Sequence, residues 1–282
     1  MLTLGDSDYP AVLRDIASPP RQLYWDGQEP KEWINRPKVG IVGSRKMSAY
    51  GKSVTESLAG QLARNGVVVI IGLAYGVDIT AHQSALSSRG TTVAVLPSGL
   101  DTIYPAAHHN FASQISQTGT LLTEYPTGSR SYPGNFIARN RIISGLSDVL
   151  LITEAALKSG SLHTARFALD QGKIVMAVPG NISSPASEGC NNLIKSGAIP
   201  VTDVSDVLFA LKINTRPKEA SELSFDNPEE ARVYDLIRQG TVSQDDLAQA
   251  AGLDTSGLSN ALTMLEISGR IRPAGGGSWL AA

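Results

Sequence analysis

The chain has 282 residues, of which 42% are hydrophobic and 18% are charged, and its formal net charge is −2. No apolar run approaches the roughly 20 residues that a membrane-spanning helix needs, and the near-neutral charge excludes a general basic coat for nucleic acid. The only cysteine, Cys190, excludes an intrachain disulfide and makes the cytoplasm the expected location, while the four histidines lack zinc-type spacing, so no metal and no other cofactor is predicted.

In chain order, residues 1–37 contain too much proline and too little periodicity for a domain, and they are predicted to form a lead-in packed on a sheet. Residues 38–211 then alternate short, β-branched apolar runs with amphipathic stretches. This alternation predicts an α/β domain with a doubly wound, mainly parallel sheet covered by helices on both faces. The strand candidates are residues 38–43, 67–71, 91–96, 120–124, 148–153, 173–178 and 198–202.

The C-terminal part of the chain changes character. Residues 212–227 are polar and aperiodic, which predicts a linker, and residues 228–282 show a helix-turn-helix pattern followed by a short wing, which predicts a small winged-helix domain. Between Thr241 and Gly269 there is no Lys or Arg. A recognition helix without a cation would meet duplex phosphates poorly, so we expect this domain mainly to contact protein and to add little DNA affinity.

Ligands of doubly wound sheets bind beyond the carboxyl ends of the strands, which directs attention to the loops there. The first of these loops contains Gly43, Ser44 and Arg45, which offer backbone N–H groups and a positive charge to a phosphate. It lacks the G-x-G-x-x-G pattern, so NAD binding is not expected, and a tight turn with a surface arginine is the alternative. In the next loop, Asp78 is interpreted as a helix cap and His82 as a structural histidine.

The loop after the strand at 148–153 contains Ser159, Gly160 and Ser161 at the start of a helix, with Thr164 one turn later. It is similar to the GGxGTxxE loop of nucleotide-monophosphate phosphoribohydrolases, in which a Glu follows the Thr by three residues. Phe167 occupies that position here, so the general base of hydrolysis is missing. The pattern therefore predicts a phosphate cradle without a catalyst.

The segment "NFIARNRIISGLS", residues 135–147, places two arginines in a run that otherwise indicates a buried helix. A buried guanidinium is costly unless an anion meets it. That anion is either an internal carboxylate, with Asp148 and Glu154 as candidates, or a polyanionic ligand on which a neighbouring aromatic ring could also stack. The candidate residues of this segment are Phe136, Arg139, Asn140 and Arg141.

With these motifs in place, the chain resembles the DNA-processing protein A (DprA/Smf) family of bacterial single-stranded DNA binders. The resemblance extends from about Tyr9 to the C-terminus and is carried by "GIVGSR", "GLAYGVDITAH", "GLDTIYP", "FIARNRIISGLS", "EAALKSGSLHTA", "AVPG" and "CNNLIKSGA". One departure is Ile137, where family members usually have Pro. The resemblance implies an extended Rossmann-like domain that dimerises, binds single-stranded DNA, protects it and loads the RecA recombinase onto it during natural transformation.

Position by position, the resemblance implies that Arg45, Arg139 and Arg141 contact phosphates. It implies that hydrogen-bond donors come from the glycine and hydroxyl residues of the two loops, and that the protein is not an enzyme. Two other functions stay open at this point. One is a nucleotide-binding or nucleotide-hydrolysing enzyme on a related fold, and the other is a winged-helix transcription regulator.

Overall fold

In this computed structural model, the described residues are 1–213, 225, 227–240, 243–275 and 278–281. The chain divides into two compact units, Met1–Thr215 and Arg216–Ala282. Most of the predicted linker, residues 212–227, lies outside the described residues. Among the residues that are described, no helix combines the length and the apolar character that crossing a membrane requires.

The first unit is built on a mixed sheet that is parallel over most of its width. Across the sheet the strand order is β1-β2-β6-β5-β4-β3-β7-β8-β9, and among the described strands of this sheet only β1–β2 and β2–β6 pair antiparallel. The order reverses between β3 and β7, which makes the carboxyl ends of these two strands the switch point of the sheet. The strands are β1 (Leu2–Thr3), β2 (Gln22–Gly27), β3 (Lys38–Val42), β4 (Val68–Ile71), β5 (Thr92–Val95), β6 (Thr120–Thr123), β7 (Val149–Ile152), β8 (Ile174–Ala177) and β9 (Ile199–Pro200).

Helices cover both faces of this sheet, as a doubly wound fold requires. Side chains alternate along β4, so that Val68 and Ile70 enter the core under α6 and α7, while Val69 and Ile71 enter the core under α3 and α4. The predicted fold class and the predicted strands are confirmed. The helices are α1 (Ala11–Arg14), α2 (Pro30–Trp33), α3 (Ala49–Arg64), α4 (Val77–Ser87), α5 (His109–Thr118), α6 (Pro133–Leu146), α7 (Ser161–Asp170), α8 (Glu188–Lys195) and α9 (Val204–Ala210), with a 3-10 turn at Ala106–His108.

The N-terminal segment, residues 1–37, contributes two strands to the sheet in addition to packing on it. Strand β2 pairs antiparallel with β6, with Tyr24 opposite Thr123, so residues 1–37 extend the sheet beyond its parallel part. The indole of Trp33 is fully buried and donates from Nε1 to the hydroxyl of Thr120 at 2.9 Å, and Leu13 is buried in the core that contains α6 residues. The segment therefore completes the core on one side of the sheet.

The second unit has the winged-helix arrangement that the sequence predicted. Its helices enclose a small apolar core that includes Val233, Leu247, Leu262 and Leu265, and its two strands pair antiparallel as a wing. Helix α12, in the position of a recognition helix, contains no Lys or Arg. The elements are α10 (Pro228–Arg238), α11 (Gln244–Ala251), α12 (Thr255–Ile267), β10 (Ile271–Gly275) and β11 (Ser278–Ala281).

Candidate functional site

A cavity of about 690 Å³ opens at the carboxyl ends of β3 and β7, where the strand order reverses. Its wall is formed by the segments that follow β3, β4, β7 and β8, together with residues of α6 between Phe136 and Ile143. The structure brings all the predicted site residues except Arg141 into this one wall. They are Gly43, Ser44, Arg45, Phe136, Arg139, Asn140, Ser159, Gly160, Ser161 and Thr164.

The loop between β3 and α3 is held at both ends by one buried carboxylate residue, Glu154. The backbone N–H of Ser44 donates to the carbonyl oxygen of Glu154 at 2.8 Å, and the N–H and hydroxyl of Ser48 donate to its carboxylate at 2.8 and 2.5 Å. Because the N–H of Ser44 is already bonded, it is not free for a ligand, so a contact of Ser44 with a ligand would use its hydroxyl group. The contact itself stays a prediction. Glu154 instead positions the loop that carries Arg45 and Lys46.

A glycine in the neighbouring loop supports the same backbone. Gly76 has φ +77°, and a Cβ at this residue would overlap the carbonyl oxygen of Ser44 and the backbone of Arg45. The N–H of Val77 then donates to that same carbonyl oxygen at 3.1 Å. Only a residue without a side chain fits this conformation and this close approach.

The rim of the cavity is positively charged. Arg45, Lys46 and Lys158 are exposed and line the opening, and no carboxylate oxygen of the described residues lies within 4.0 Å of their side-chain nitrogens. Asp78 is the one acidic side chain among the described residues of the wall. Lys46 and Lys158 were not among the site residues predicted from the sequence, although both lie in the predicted loops. The rim can therefore attract an anion without first breaking an internal ion pair.

An aromatic side chain lies directly beside this rim. The guanidinium carbon of Arg45 is 5.4 Å from the ring centroid of Phe136, which is within cation–π range. The ring of Tyr104 meets the ring of Phe136 edge to face at 5.2 Å between centroids. Phe136 is thus held between two neighbours and is only partly buried, so part of its ring can meet a base.

Arg139 is at the floor of the cavity rather than at its rim. Its side chain is 4% exposed, and its guanidinium donates to the carbonyl oxygen of Val95. Gly72 leaves room for this guanidinium, since a Cβ there would overlap it. Burial lowers the pKa of Arg139 to about 10, and the negative charge of Asp78 opposes that shift. Arg139 lines the cavity, and its phosphate contact stays a prediction.

Arg141 does not reach the cavity at all, which corrects the prediction that it contacts phosphate. Its guanidinium makes two parallel bonds of 2.6 Å to the carboxylate of Glu124 and a third, from Nε, to the carbonyl oxygen of Ser18 at 2.8 Å. Residues two apart lie on different sides of a helix, so Arg139 and Arg141 cannot face the same site. The internal carboxylate is Glu124, neither Asp148 nor Glu154.

The hydroxyls at the start of α7 form a small network at the cavity wall. Ser159 and Ser161 share a hydrogen bond of 2.7 Å between their Oγ atoms, so only one of the two hydroxyl protons is used between them. Thr164, one turn further along, is buried in the same wall. This end of the helix can offer a hydroxyl donor to an anion held by Lys158.

The interpretation of Asp78 as a helix cap is wrong, and that of His82 as a structural residue is confirmed. Gly76 is the N-cap of α4, while Asp78 accepts from the N–H of Ala74 at 3.3 Å. His82 is fully buried, with Nε2 donating to the carbonyl oxygen of Gly72 at 2.6 Å and Nδ1 hydrogen-bonded to the hydroxyl group of Thr92 at 2.7 Å. Burial lowers the pKa of His82 to about 4.

This low pKa predicts that His82 makes stability depend on pH. The folded state keeps the ring neutral down to about pH 4, whereas the unfolded chain binds a proton near pH 6.5, so the free energy of unfolding falls as pH drops from 6.5 to 4. The contribution is about 3 kcal/mol. In denaturant unfolding, the stability difference between wild type and His82→Gln should shrink over this range. His109→Gln, at an exposed histidine, is the control, and a difference that stays constant with pH would contradict the assignment.

The chain is similar to known proteins over most of its length. Residues 1–212 match the model of the family described as DNA recombination-mediator protein A, and residues 215–277 match the DprA winged helix domain. Protein Smf of Escherichia coli is 38% identical over 283 residues, which cover 97% of this chain and 75% of that protein. The putative DNA processing protein DprA of Mycobacterium tuberculosis is 38% identical over 237 residues, and the match covers 82% of this chain but only 61% of that protein.

Two solved structures share the fold at substantial identity. The DNA processing protein A of Streptococcus pneumoniae superposes with a TM-score of 0.71 at 38% identity, over 74% of this chain and 72% of that one. The protein of Helicobacter pylori, whose structure concerns its single-stranded DNA binding mode, gives a TM-score of 0.67 at 33% identity, over 75% of this chain and 98% of that one. The chain therefore belongs to the DNA recombination-mediator protein A family, to which the DprA and Smf proteins are related.

Proposed function

We propose that this chain binds single-stranded DNA in the cavity, without catalysing a reaction, and acts in DNA processing and recombination. The observation that carries the proposal is the positively charged rim of the cavity at the switch point of the sheet. Arg45, Lys46 and Lys158 lie there, and no carboxylate oxygen in the described part of the chain is within 4.0 Å of their side-chain nitrogens. The Helicobacter pylori relative, with its single-stranded DNA binding mode, supports the same ligand.

In this proposal the strand is held by its phosphates and by one stacked base. The rim cations neutralise phosphates whatever the sequence, and Phe136 offers a face to a base that a single strand can turn outward. Duplex DNA keeps its bases stacked inside the helix, so it can use the cations but not the ring. We therefore expect a preference for single strands and tolerance of unrelated sequences.

Three features of the residues support a binding role rather than hydrolysis. The position three residues after Thr164 is Phe167, which supplies no general base. His82 is buried, neutral and bonded at both ring nitrogens. Glu154 uses its carboxylate to hold Ser48 and does not line the cavity. We accordingly propose that no covalent step takes place at this site.

Membership of the family extends the proposal to the cellular role. We propose that the protein acts as a homodimer in the cytoplasm, protects incoming single-stranded DNA and loads RecA onto it during natural transformation or recombination. This part of the proposal rests on the resemblance of the motifs. It is tested by asking whether the purified protein accelerates the assembly of RecA on DNA already coated by a single-strand-binding protein.

The DNA-binding proposal itself is tested by fluorescence titration of labelled oligonucleotides, single- and double-stranded, at two salt concentrations. We expect tighter binding of the single strand, similar affinity for unrelated sequences, and weaker binding at higher salt. Preferential binding of one duplex sequence would favour a transcription regulator instead. Release of free base from nucleoside monophosphates during incubation with the protein would favour the hydrolase.

The winged-helix unit should contribute little to this binding. Helix α12 has no cation, and its neighbour α11 carries Asp245 and Asp246 in its first turn. Deleting residues 228–282 is expected to change single-strand affinity by less than about tenfold, or about 1.4 kcal/mol. The same oligonucleotide titration measures this. A larger loss would mean that the unit holds DNA directly.

A further inference from the structure

Helix α12 of the winged-helix unit has an exposed stripe of residues on the side that faces away from the core. The stripe residues follow one another at spacings of four, three and four, which places them on one side of the helix: Ser256, Asn260, Thr263 and Ile267. On the opposite side, Leu258 and Leu265 are buried in the core of the unit. Ile267 is 75% exposed, and Met264, beside the stripe, is 51% exposed. Among the described residues of the unit, nothing covers this stripe.

Charge distinguishes the stripe from the other helices of the unit. Helices α10 and α11 together contain five acidic and two basic residues, whereas no stripe residue is charged. Two copies that met through α10 or α11 would bring surfaces of like net charge together, which opposes association. The stripe has no such penalty, and without Lys or Arg it offers no cation to DNA phosphates. A neutral surface of this kind suits a second copy of itself.

We propose that the stripe of α12 pairs antiparallel with the same stripe of a second copy of this chain. A two-fold axis between positions 261 and 262 brings Ile267 of one copy opposite Ser256 of the other, and Asn260 opposite Thr263. Each large side chain then meets a small one, and each amide meets a hydroxyl group, so the stripe complements itself in a single register. The inference concerns a surface outside the proposed DNA site and does not rest on DNA binding.

The residues beside the stripe agree with this register. In an antiparallel pair of helices, positions that flank the seam on the same side face each other. Met264 of one copy therefore packs over Gly257 of the other, which has no side chain to obstruct it. On the other flank, Glu266 faces Ser259 rather than a second carboxylate. The pairing thus brings no like charges into contact along the seam.

The paired surface is small, which determines how it has to be detected. Stable protein interfaces bury about 1,200–2,000 Å², whereas this seam is formed by one helix of 13 residues from each copy. We therefore expect a weak contact that adds to another interface between copies. A covalent trap can capture such a contact even when the two copies separate readily.

Disulfide trapping in the full chain tests the register. The only native cysteine, Cys190, is buried and is replaced by alanine, and Asn260→Cys and Thr263→Cys are then prepared as separate variants and mixed in equal amounts. We expect the heterodisulfide to exceed either homodisulfide at least about fivefold, against about twofold for random collision, because a disulfide needs Cβ atoms about 4 Å apart. Gln249→Cys, at an exposed residue of α11, is the control and should give only the random ratio with either variant.

A charge placed on the stripe should prevent the trapping without unfolding the unit. Because Ile267 is 75% exposed, Ile267→Glu is expected to fold, but in the antiparallel register its carboxylate would be desolvated against the second copy. Introduced into both cysteine variants, it should lower the initial rate of heterodisulfide formation at least about tenfold. Ala250→Glu adds the same charge at an exposed position of α11 and should leave the rate unchanged.

The inference is overturned if the heterodisulfide forms only at the random ratio, or if Ile267→Glu is trapped as fast as its parent. A rate that falls when duplex DNA is added would assign the stripe to nucleic acid and would also overturn it, whereas an unchanged rate supports self-pairing. Failure of single-strand binding in the oligonucleotide titration would refute the proposed function and leave this pairing intact.

Discussion

Replacing Glu124 by alanine is expected to lower the free energy of unfolding by about 3 kcal/mol. The side chains of Glu124 and Arg141 are 17% and 13% exposed and are joined by two parallel bonds. Removing one partner leaves the other charge largely buried and unpaired, which costs about 3–5 kcal/mol in buried pairs. We place the effect near the lower end of this range because water still reaches part of the pair. Urea unfolding followed by circular dichroism measures it.

Two further variants distinguish the loss of stability caused by breaking the ion pair from the general effect of removing an acidic side chain. Glu56 forms a surface pair with Lys52 at 3.8 Å, so Glu56→Ala should change stability by no more than about 1 kcal/mol. Replacing both partners, as Glu124→Leu with Arg141→Met, should recover part of the loss, since no unpaired charge remains. If Glu124→Ala were as stable as Glu56→Ala, Arg141 would not depend on this carboxylate and could still serve a ligand.

Replacing Phe136 by alanine is expected to weaken single-strand binding by about 1–3 kcal/mol, or roughly 5- to 150-fold, with little change in salt dependence. The ring lies under the guanidinium of Arg45 and beside Tyr104 at the rim. Stacking of a base on such a ring contributes that free energy and releases few ions, so the slope of log affinity against log salt should be preserved. Oligonucleotide titrations at several salt concentrations measure both quantities.

Phe209 provides the matched control for this substitution. It is 85% exposed on α9 and does not line the cavity, so Phe209→Ala removes the same ring from a surface outside the proposed DNA site. Its affinity should stay within about twofold of wild type. Equal losses for the two variants, or a loss at Phe136 confined to one sequence, would argue against base stacking at the rim.

The fold could be predicted because the sequence patterns that indicate its strands and helices are local. A buried parallel strand such as β4 is apolar throughout, so the runs of β-branched residues identified the strands of the doubly wound sheet. Strand β2 was missed for the opposite reason. It contains Leu23, Tyr24 and Trp25, but prolines flank it and its partner β6 is remote in sequence. No local sequence pattern near residues 22–27 indicates that this segment can pair antiparallel with β6.

The candidate site could be located from the sequence, but its chemistry could not be fully assigned. Loops after strands gather at a switch point, which is why residues 43–45 and 159–161 were expected together and do meet. To assign the two arginines of α6, the helical periodicity is needed as well, because residues two positions apart lie on different sides of a helix. That Glu124 pairs with Arg141 depends on how β6 and α6 pack, and no local pattern carries this information.

The most direct test of the central claim is the salt-dependent affinity of a variant that lacks all three rim cations. Arg45→Ala with Lys46→Ala and Lys158→Ala should weaken single-strand binding more than tenfold and reduce the salt slope by about 2, since each neutralised phosphate of a single strand contributes about 0.7. The control removes three exposed cations outside the cavity wall, Arg21, Lys31 and Arg64, and should keep both the affinity and the slope close to wild type. Equal losses in the two triple variants would contradict a DNA site at this cavity.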